Sequence, residues 1–484
     1  MVTLGLNGIS WFLDDEGLVA AVKGLAEEKD LRRTYAVVSC GSEKVFVKYF
    51  LEKGVLGFVR NRLANRGKRE YTLGKKMSEV GVVTPGPLGY GVGQRGSFVL
   101  QKWVKGITLK QAFDEQPEKR ILLVGQLAVL LRQLKTHGIR HNDLHLENVI
   151  LSGQRPCLID LHKTRIKKAF SQDDELSNLT HALNMIYDDL TGEEKDTFFQ
   201  CYGQSHIRPL VEAGLRELWA TWIKNKKRRS FSSTSKLEAR EGRVCIRGCE
   251  GRGDGELKEV IKTDKKVRVE RRSDHVRKIY RNRRRLVKAW ENHVALEYMR
   301  LDIVPRPFYV QKSSLLRKGY IAMEDLGGRG EELDRFLDRR YDGMSWTERH
   351  GFVSAFSRFL RNALKKGVFH MDMKACNVFV LSGGFKLLDA EDLVFVAVEE
   401  ERLRRMLVQL NTTMPARVAV SDRIRFFSDL TKGLPINRKR LLREVAEQCR
   451  STEIVYEGVS GLKREAWPVH RQCSHSPFSR VPRS

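Results

Sequence analysis

HGIRHNDLHLENVILSGQRPCLIDLHKTR (residues 137–165) and KGVFHMDMKACNVFVLSGGFKLLDAEDLVF (residues 366–395) share one polar skeleton. Each carries His-x-Asp, an Asn five residues after that Asp, a Ser-Gly break, and a further Asp twelve residues after the Asn. The copies lie 229 positions apart. The likeness extends upstream, where LLRQLKTHGIRH (130–141) and FLRNALKKGVFH (359–370) superpose without a gap.

Further out, the order of elements repeats. KVFVKYF (44–50) and HVRKIYRN (275–282) alternate like half-buried strands. KREYTLGKKMSEVGVV (68–83) reads as a helix that stops before Pro85, and KAWENHVALEYMRLDIV (288–304) is its counterpart. SFVLQKW and GYIAMED follow as strands, and then come the apolar helices KRILLVGQLAVLLRQLKTHG and HGFVSAFSRFLRNALKKG, the first closed by Gly138. Two copies at so long a period mean two whole domains rather than a solenoid. The expected boundaries are a first domain over 1–225, a basic, Ser-rich linker over 226–240, a second domain over 241–450 and a loose tail over 451–484. The linker expectation rests on KNKKRRSFSSTS (224–235), a basic run followed by Ser and Thr that has little apolar area to bury.

The bulk numbers agree with that division. A chain of 484 residues is too long for one ordinary core. Net charge is +28, from 88 Lys and Arg against 60 Asp and Glu, which predicts attraction to polyanions such as phosphorylated substrates or anionic lipid head groups. No zinc finger and no aromatic stacking motif accompanies the charge, so nucleic acid is not the expected partner. The 8 Cys form no framework of pairs, which fits a reducing compartment, and Cys245 and Cys249 lack a second ligand pair for zinc. The start, MVTLGLNGISWFLDDEG, has acids where a secretory signal needs positive charge. The longest apolar run, ILLVGQLAVLL from Ile121, is too short to span a bilayer. A cytoplasmic protein with at most peripheral membrane contact is expected.

The repeated skeleton has a definite chemical capacity. NVIL and NVFV are strand-like, Ser-Gly makes a turn, and a second strand ends in Asp. Such a hairpin brings its ends together, placing Asn148 near Asp160 and Asn377 near Asp389. An amide and a carboxylate there make an oxygen site for a hard cation such as magnesium. Asp143 and Asp372, on the loops entering the hairpins, are placed to accept a proton from a substrate hydroxyl. This is the layout of phosphoryl transfer from a nucleotide, which also needs a strand Lys, paired to a helix Glu, on the nucleotide phosphates. Lys48 with Glu70 and Lys278 with Glu291 are the candidates; Arg277 rivals Lys278, and Glu79 and Glu297 are alternative acids. His141 and His370 read as structural supports of the catalytic loops. His145 and His162 occur in the first half only.

At HNDLHLENVIL and LIDLHKTRI, with DDELSNLTHALN after them, the sequence resembles the lipopolysaccharide kinase family, bacterial enzymes that phosphorylate inner-core heptose or Kdo. The second copy resembles it at the polar skeleton but has Asp-Ala-Glu where the first has Asp-Leu-His. The resemblance covers roughly 30–225 and 240–450. It implies an α+β chain of two tandem protein-kinase-like bilobal domains, each with a small β-rich N-lobe and a mainly helical C-lobe. It further implies ATP and Mg2+ as cofactors, Asp143 and Asp372 as catalytic, Lys48 and Lys278 as nucleotide lysines, and Asn148, Asp160, Asn377 and Asp389 as metal ligands. The implied partners are lipopolysaccharide core or another anionic glycolipid and an anionic membrane surface. There the basic run KNKKRR would gain about 1 kcal/mol per well-placed cation. A protein or small-molecule acceptor, or one half serving as a pseudokinase binding module, are the alternatives. A glycine-rich phosphate loop is missing from the first half, and the glycines of GCEGRGDG lie too far before Lys278 to supply one in the second.

Overall fold

The computed structural model describes all residues except 28–34, 53–58, 60, 62–63, 95, 154, 241, 251–252, 315–317 and 468–484. It divides into two units, Met1–Trp219 and Ala220–Ser484, six residues before the expected boundary.

In the first unit, strands β1 (Val2–Leu6), β2 (Ile9–Leu13), β3 (Tyr35–Cys40), β4 (Glu43–Leu51), β5 (Pro87–Gly93) and β6 (Gly96–Lys102) form an antiparallel sheet, in the order β1-β2-β5-β6-β4-β3 among the described residues. Helix α1 (Leu18–Glu27) packs Leu18, Ala21, Val22 and Leu25 into a core with Trp11, Leu13, Val45, Val47, Phe98 and Leu100. Helix α2 (Arg66–Glu79) begins where the Asn65 side chain accepts the Lys68 N–H at 2.8 Å. It lies against β5 and β6 so closely that a Cβ on Gly67 would fall 2.2 Å from the Phe98 carbonyl oxygen. Only glycine lets the helix approach the sheet that carries Lys48.

The helical lobe follows: β7 (Ile107–Thr108), α3 (Leu109–Glu115), α4 (Arg120–Thr136), β8 (Ile139–His141), β9 (Val149–Ser152), β10 (Arg155–Leu158), β11 (Thr164–Ile166), α5 (Gln172–Leu183) and α6 (Gly192–Tyr202). The apolar run read as a buried helix is α4. Leu123, Val124, Leu127, Leu130, Leu131 and Leu134 recur at helical spacing and are all buried. Each buried Leu contributes about 1.5–3 kcal/mol. The helix stops at Gly138, whose φ of +64° suits glycine and where a Cβ would meet the Lys167 carbonyl oxygen at 2.4 Å.

The second unit repeats the plan with one more strand. Strands β12 (Leu237–Arg240), β13 (Arg243–Ile246), β14 (Leu257–Thr263), β15 (Val267–Arg272), β16 (Val276–Tyr280), β17 (Pro307–Gln311) and β18 (Tyr320–Met323) pair antiparallel in the order β12-β13-β17-β18-β16-β15-β14 among the described residues. Helix α8 (Arg283–Met299) packs Trp290, Ala289 and Val294 onto it. It is preceded by α7 (Arg208–Arg228), which carries the chain from the first unit into the second. The helical lobe holds β19 (Gly330–Glu332), α9 (Leu333–Arg340), α10 (Trp346–Lys365), β20 (Val368–His370), β21 (Val378–Leu381), β22 (Gly384–Leu387), β23 (Leu393–Phe395), α11 (Glu400–Asn411), α12 (Val420–Leu430) and α13 (Arg438–Arg450). A capping box starts α10: Glu348 N–H donates to Ser345 Oγ at 3.3 Å, and Ser345 N–H donates to Glu348 Oε2 at 2.7 Å. In each unit the sheet lobe and the helical lobe have separate cores, a two-lobed α+β form.

Two expectations about loose segments need correction. Helix α7 runs through Arg228 and β12 starts at Leu237, so both ends of the stretch expected as a linker belong to regular elements. Lys226 sits over the rings of Trp222 and Tyr298, and Lys227 lies over Phe395, 4.1 Å from its centroid, donating to Asn292 Oδ1 at 2.7 Å. The apolar stem of a lysine buries well beside an aromatic ring, which a reading by charge alone misses. The expected tail likewise opens with a hairpin, β24 (Ile454–Gly458) and β25 (Gly461–Glu465). It is tied to α9 by Glu457 N–H on Asp334, Val459 N–H on Asp338 and the Lys463 ammonium on Asp338. The rest of the expected tail, from 468, lies outside the described residues.

Candidate active site

Both hairpins of the skeleton form. In the first unit Val149 pairs with Leu158, and Ile159 N–H donates to the Asn148 carbonyl at 2.9 Å. In the second, Val378 pairs with Leu387, and Leu388 N–H donates to the Asn377 carbonyl at 2.8 Å. Each Asn therefore lies opposite the residue just before the terminal Asp. The catalytic-loop Asp is tied to the same end, because Asn148 Nδ2 donates to the Asp143 carbonyl at 2.9 Å and Asn377 Nδ2 to the Asp372 carbonyl at 2.7 Å. With the amide nitrogens used in this way, the side-chain oxygens of Asn148 and Asn377 are the atoms left to offer a ligand.

Asp160 and Asp389 adopt the same unusual backbone. Their φ values are +60° and +57°, the left-handed region that an L-residue other than Asn or Asp seldom occupies. Among the described residues only Asn7 and Arg300 share it outside glycine. Strained backbone of this kind collects at functional sites, and here it recurs at the equivalent position of both copies.

In the first unit β4 presents Lys48 on the face opposite the buried Val45 and Val47. Its ammonium contacts Glu70 of α2 at 3.3 Å and pairs with Asp160. Glu70 is buried, and His162 Nδ1 lies 2.5 Å from Asp160 Oδ1 and 3.7 Å from Glu70. Burial pushes the Asp160 carboxyl up, but His162 and Lys48 outweigh it and hold the group well below the usual carboxylate range. Burial lowers His162 while Asp160 and Glu70 raise it, and the net direction is up, toward imidazolium. Asp143 accepts from Lys163 Nζ at 2.5 Å; burial raises its carboxyl and Lys163 more than reverses this, keeping it ionised. His141 is fully buried, accepts Asp143 N–H at 3.3 Å on Nδ1 and donates its own backbone N–H to Asn178, a loop support as expected. His145 Nε2 lies 3.0 Å from Asn148 Nδ2, a contact specific to the first copy.

The second unit departs from expectation at one residue. Lys278 of β16 contacts Asp389 at 2.5 Å, but its other partner is Glu391, at 2.9–3.0 Å, and not Glu291. The reason is helical phase. Asn292 is the α8 residue turned to the loop after Asp389, its Nδ2 donating to the Ala390 and Leu393 carbonyls at 2.7 and 3.0 Å. Its neighbour Glu291 therefore points elsewhere, toward Lys227, and burial raises its carboxyl. The alternative Glu297 lines a separate cavity of about 410 Å³ with Lys236, Arg300 and Lys386, and Glu79 is exposed at the end of α2. Arg277, the rival of Lys278, is instead held by Asp254 at 2.7 Å and stacks over Tyr320. Asp372 is paired with Lys374 at 3.0 Å, and His370 Nε2 with the Leu388 carbonyl at 2.8 Å.

The structure thus draws each strand lysine onto the Asp that ends its hairpin and ties each catalytic-loop Asp to the Asn that starts it, while Glu391, Lys163 and Lys374 join them without having been among the expected residues. The signal for Glu391 was visible as the third residue of Asp-Ala-Glu, at the position of His162 in the first copy. The strand pair nearest Lys278 in the sheet, β14 and β15, turns through Asp264–Lys266 without glycine, and Asp264 accepts the Lys266 and Val267 N–H groups at 2.6 and 2.8 Å. Glu70, Asp160 and His162 bring ligand atoms within 4.8 Å of one another. Among the described residues no helix is long and apolar enough to cross a membrane.

Residues 20–202 match the lipopolysaccharide kinase (Kdo/WaaP) family. No curated protein matches the chain. Among solved structures, "WaaP in complex with acyl carrier protein" aligns with 45% of this chain and 97% of that one, at 19% identity and a TM-score of 0.32. An aminoglycoside-3'-phosphotransferase of type VIII aligns with 39% and 92%, at 15% identity and 0.30, and the gentamicin-APH(2")-IIa complex with 45% and 90%, at 14% and 0.31.

Proposed function

From a first half that matches the lipopolysaccharide kinase family, we propose that the chain is an ATP-dependent phosphotransferase acting on a sugar hydroxyl, heptose or Kdo, of the lipopolysaccharide inner core, with a catalytic domain in each half. The observation that carries the reading is the same in both: a strand lysine drawn onto a left-handed Asp at the end of the hairpin that starts with Asn.

In this reading Lys48 and Lys278 hold the nucleotide phosphates, and Asp143 and Asp372 orient the acceptor hydroxyl and take its proton. Asn148 with Asp160, and Asn377 with Asp389, would hold Mg2+, which supplies charge neutralisation on the phosphate oxygens. The fit is one of donor chemistry: an amide oxygen and a carboxylate kept ionised, both hard oxygen ligands. The excess of basic residues favours an anionic glycolipid acceptor at a membrane surface, with the exposed Lys224, Arg228 and Arg229 as contacts and Lys226 and Lys227 engaged in packing.

The acceptor class is tested by incubating the full chain with radiolabelled ATP and, separately, purified core oligosaccharide, kanamycin and casein. Label is expected on the oligosaccharide, at a heptose or Kdo hydroxyl, at least tenfold faster than on the others. Faster labelling of kanamycin or casein would replace the acceptor and keep the phosphotransferase.

A further inference from the structure

We infer that the two halves hold the same charges around their reacting groups from exchanged chain positions: Glu391 positions Lys278 as Glu70 positions Lys48, and Lys163 serves Asp143 as Lys374 serves Asp372. The inference rests on the phosphotransferase reading and deepens it.

The exchange is visible element by element. In the first half the helix beside the lysine strand contributes the acid, Glu70, and the loop after the hairpin contributes the base, His162. In the second half the helix contributes the base, Arg285, at 3.3 Å from Glu391, and the loop contributes the acid. Glu391 is as enclosed as Glu70, at 2% against 1% exposure, and takes donors from Lys278, Arg285 and the Tyr280 hydroxyl at 3.2 Å. A buried carboxylate with three donors is fixed in place, and so fixes the lysine it grips. The cation on the catalytic-loop Asp is exchanged in the opposite sense. Lys163, on the loop after the hairpin, reaches Asp143, whereas Lys374, on the catalytic loop itself, reaches Asp372. The residues at the equivalent positions are Asp392, an acid, and His145, whose Nε2 faces Asn148 Nδ2 at 3.0 Å.

Charge balance explains why the changes come together. A loop acid added beside an existing helix acid would leave two buried carboxylates on one lysine in addition to the hairpin Asp, and like charges at that spacing repel strongly. Moving the acid to the loop requires the helix face to become neutral or basic, and Arg285 and Asn292 are what α8 presents there. The second half therefore reads as a rebalanced site rather than a decayed copy.

The test uses the full chain carrying Lys48→Ala and Asp160→Ala, which leaves the second half as the nucleotide site, titrated calorimetrically with MgATP. Glu391→Gln in that background is expected to weaken binding at least tenfold, Glu391→Asp to recover part of it, and Glu291→Gln to change it less than twofold. Equal affinity with Glu391→Gln, or an equal loss with Glu291→Gln, would overturn the inference and leave the phosphotransferase reading intact. A background chain that binds no MgATP would overturn both for the second half. If Glu391→Gln abolishes the cooperative melting transition of the second unit, the Asp variant decides: affinity unchanged from the background refutes the positioning role, and an intermediate loss supports it.

Discussion

Asp143→Asn is expected to lower phosphoryl transfer by the first half about 10²–10⁴-fold, the usual contribution of a positioned general base, and Asp372→Asn to do the same in the second. The double variant should lose total turnover by that same factor. Nucleotide affinity should barely change, because neither side chain contacts the nucleotide lysine: Asp143 is paired with Lys163 and Asp372 with Lys374. Steady-state rates of the two single variants against wild type assign the share of turnover to each half. Undiminished turnover in the double variant would remove both residues from the chemistry. The pH profile carries the same information. Lys163 holds the Asp143 carboxyl below its ordinary value, so first-half turnover should stay level from neutral pH down past the usual carboxylate pKa of about 4 and decline only below it.

Lys278→Met should produce the largest stability loss in the second unit. Lys278 is 7% exposed and lies between the Asp389 and Glu391 carboxylates. Removing the cation leaves the buried Glu391 with Arg285 and deprives the half-buried Asp389 of its lysine, and breaking a buried pair from one side costs about 3–5 kcal/mol. Lys48→Met should cost less, since the Lys48 side chain is 20% exposed and His162 still faces Asp160 and Glu70. Thermal or denaturant melting of the two variants checks the order, and equal losses would contradict it. The pH dependence follows in sign. Burial lowers the Lys278 ammonium but Asp389 and Glu391 outweigh it and raise it, so its stabilisation is complete below the free lysine value and is lost as pH rises through the higher folded value. Burial raises Asp389 and Lys278 outweighs it, so that contribution is present above the ordinary carboxylate value and is lost as pH falls through the depressed one.

How much of this was legible depended on the kind of signal. The polar skeleton could be read because its members are few, unlike their neighbours, and repeated at one offset. Hairpin geometry then follows from local sequence, and Asn148, Asp160, Asn377 and Asp389 came with it. The strand lysines were legible through alternation, since Val45 and Val47 mark the buried face that Lys48 opposes. Partners contributed by another element were not. Glu70 and Glu291 were chosen by position along a helix, and the rotation of α8 that turns Asn292 to the loop, and Glu291 away, is set by packing of Trp290 and Ala289 under the sheet. Charged runs misled for a related reason: Lys227 and the hairpin after Ile454 look solvated as strings and are held by tertiary contacts. The strand order of the two sheets had no local signal.

The central claim is that each hairpin grips metal-bound nucleotide phosphates between its Asn and its Asp. Crystals of the full chain grown with Mn2+ and a non-hydrolysable ATP analogue test it directly, through the anomalous signal of manganese. The account predicts manganese bound by Asn148 and Asp160, and by Asn377 and Asp389, with analogue phosphates on Lys48 and Lys278. Bound analogue with manganese away from both Asn–Asp pairs would contradict it.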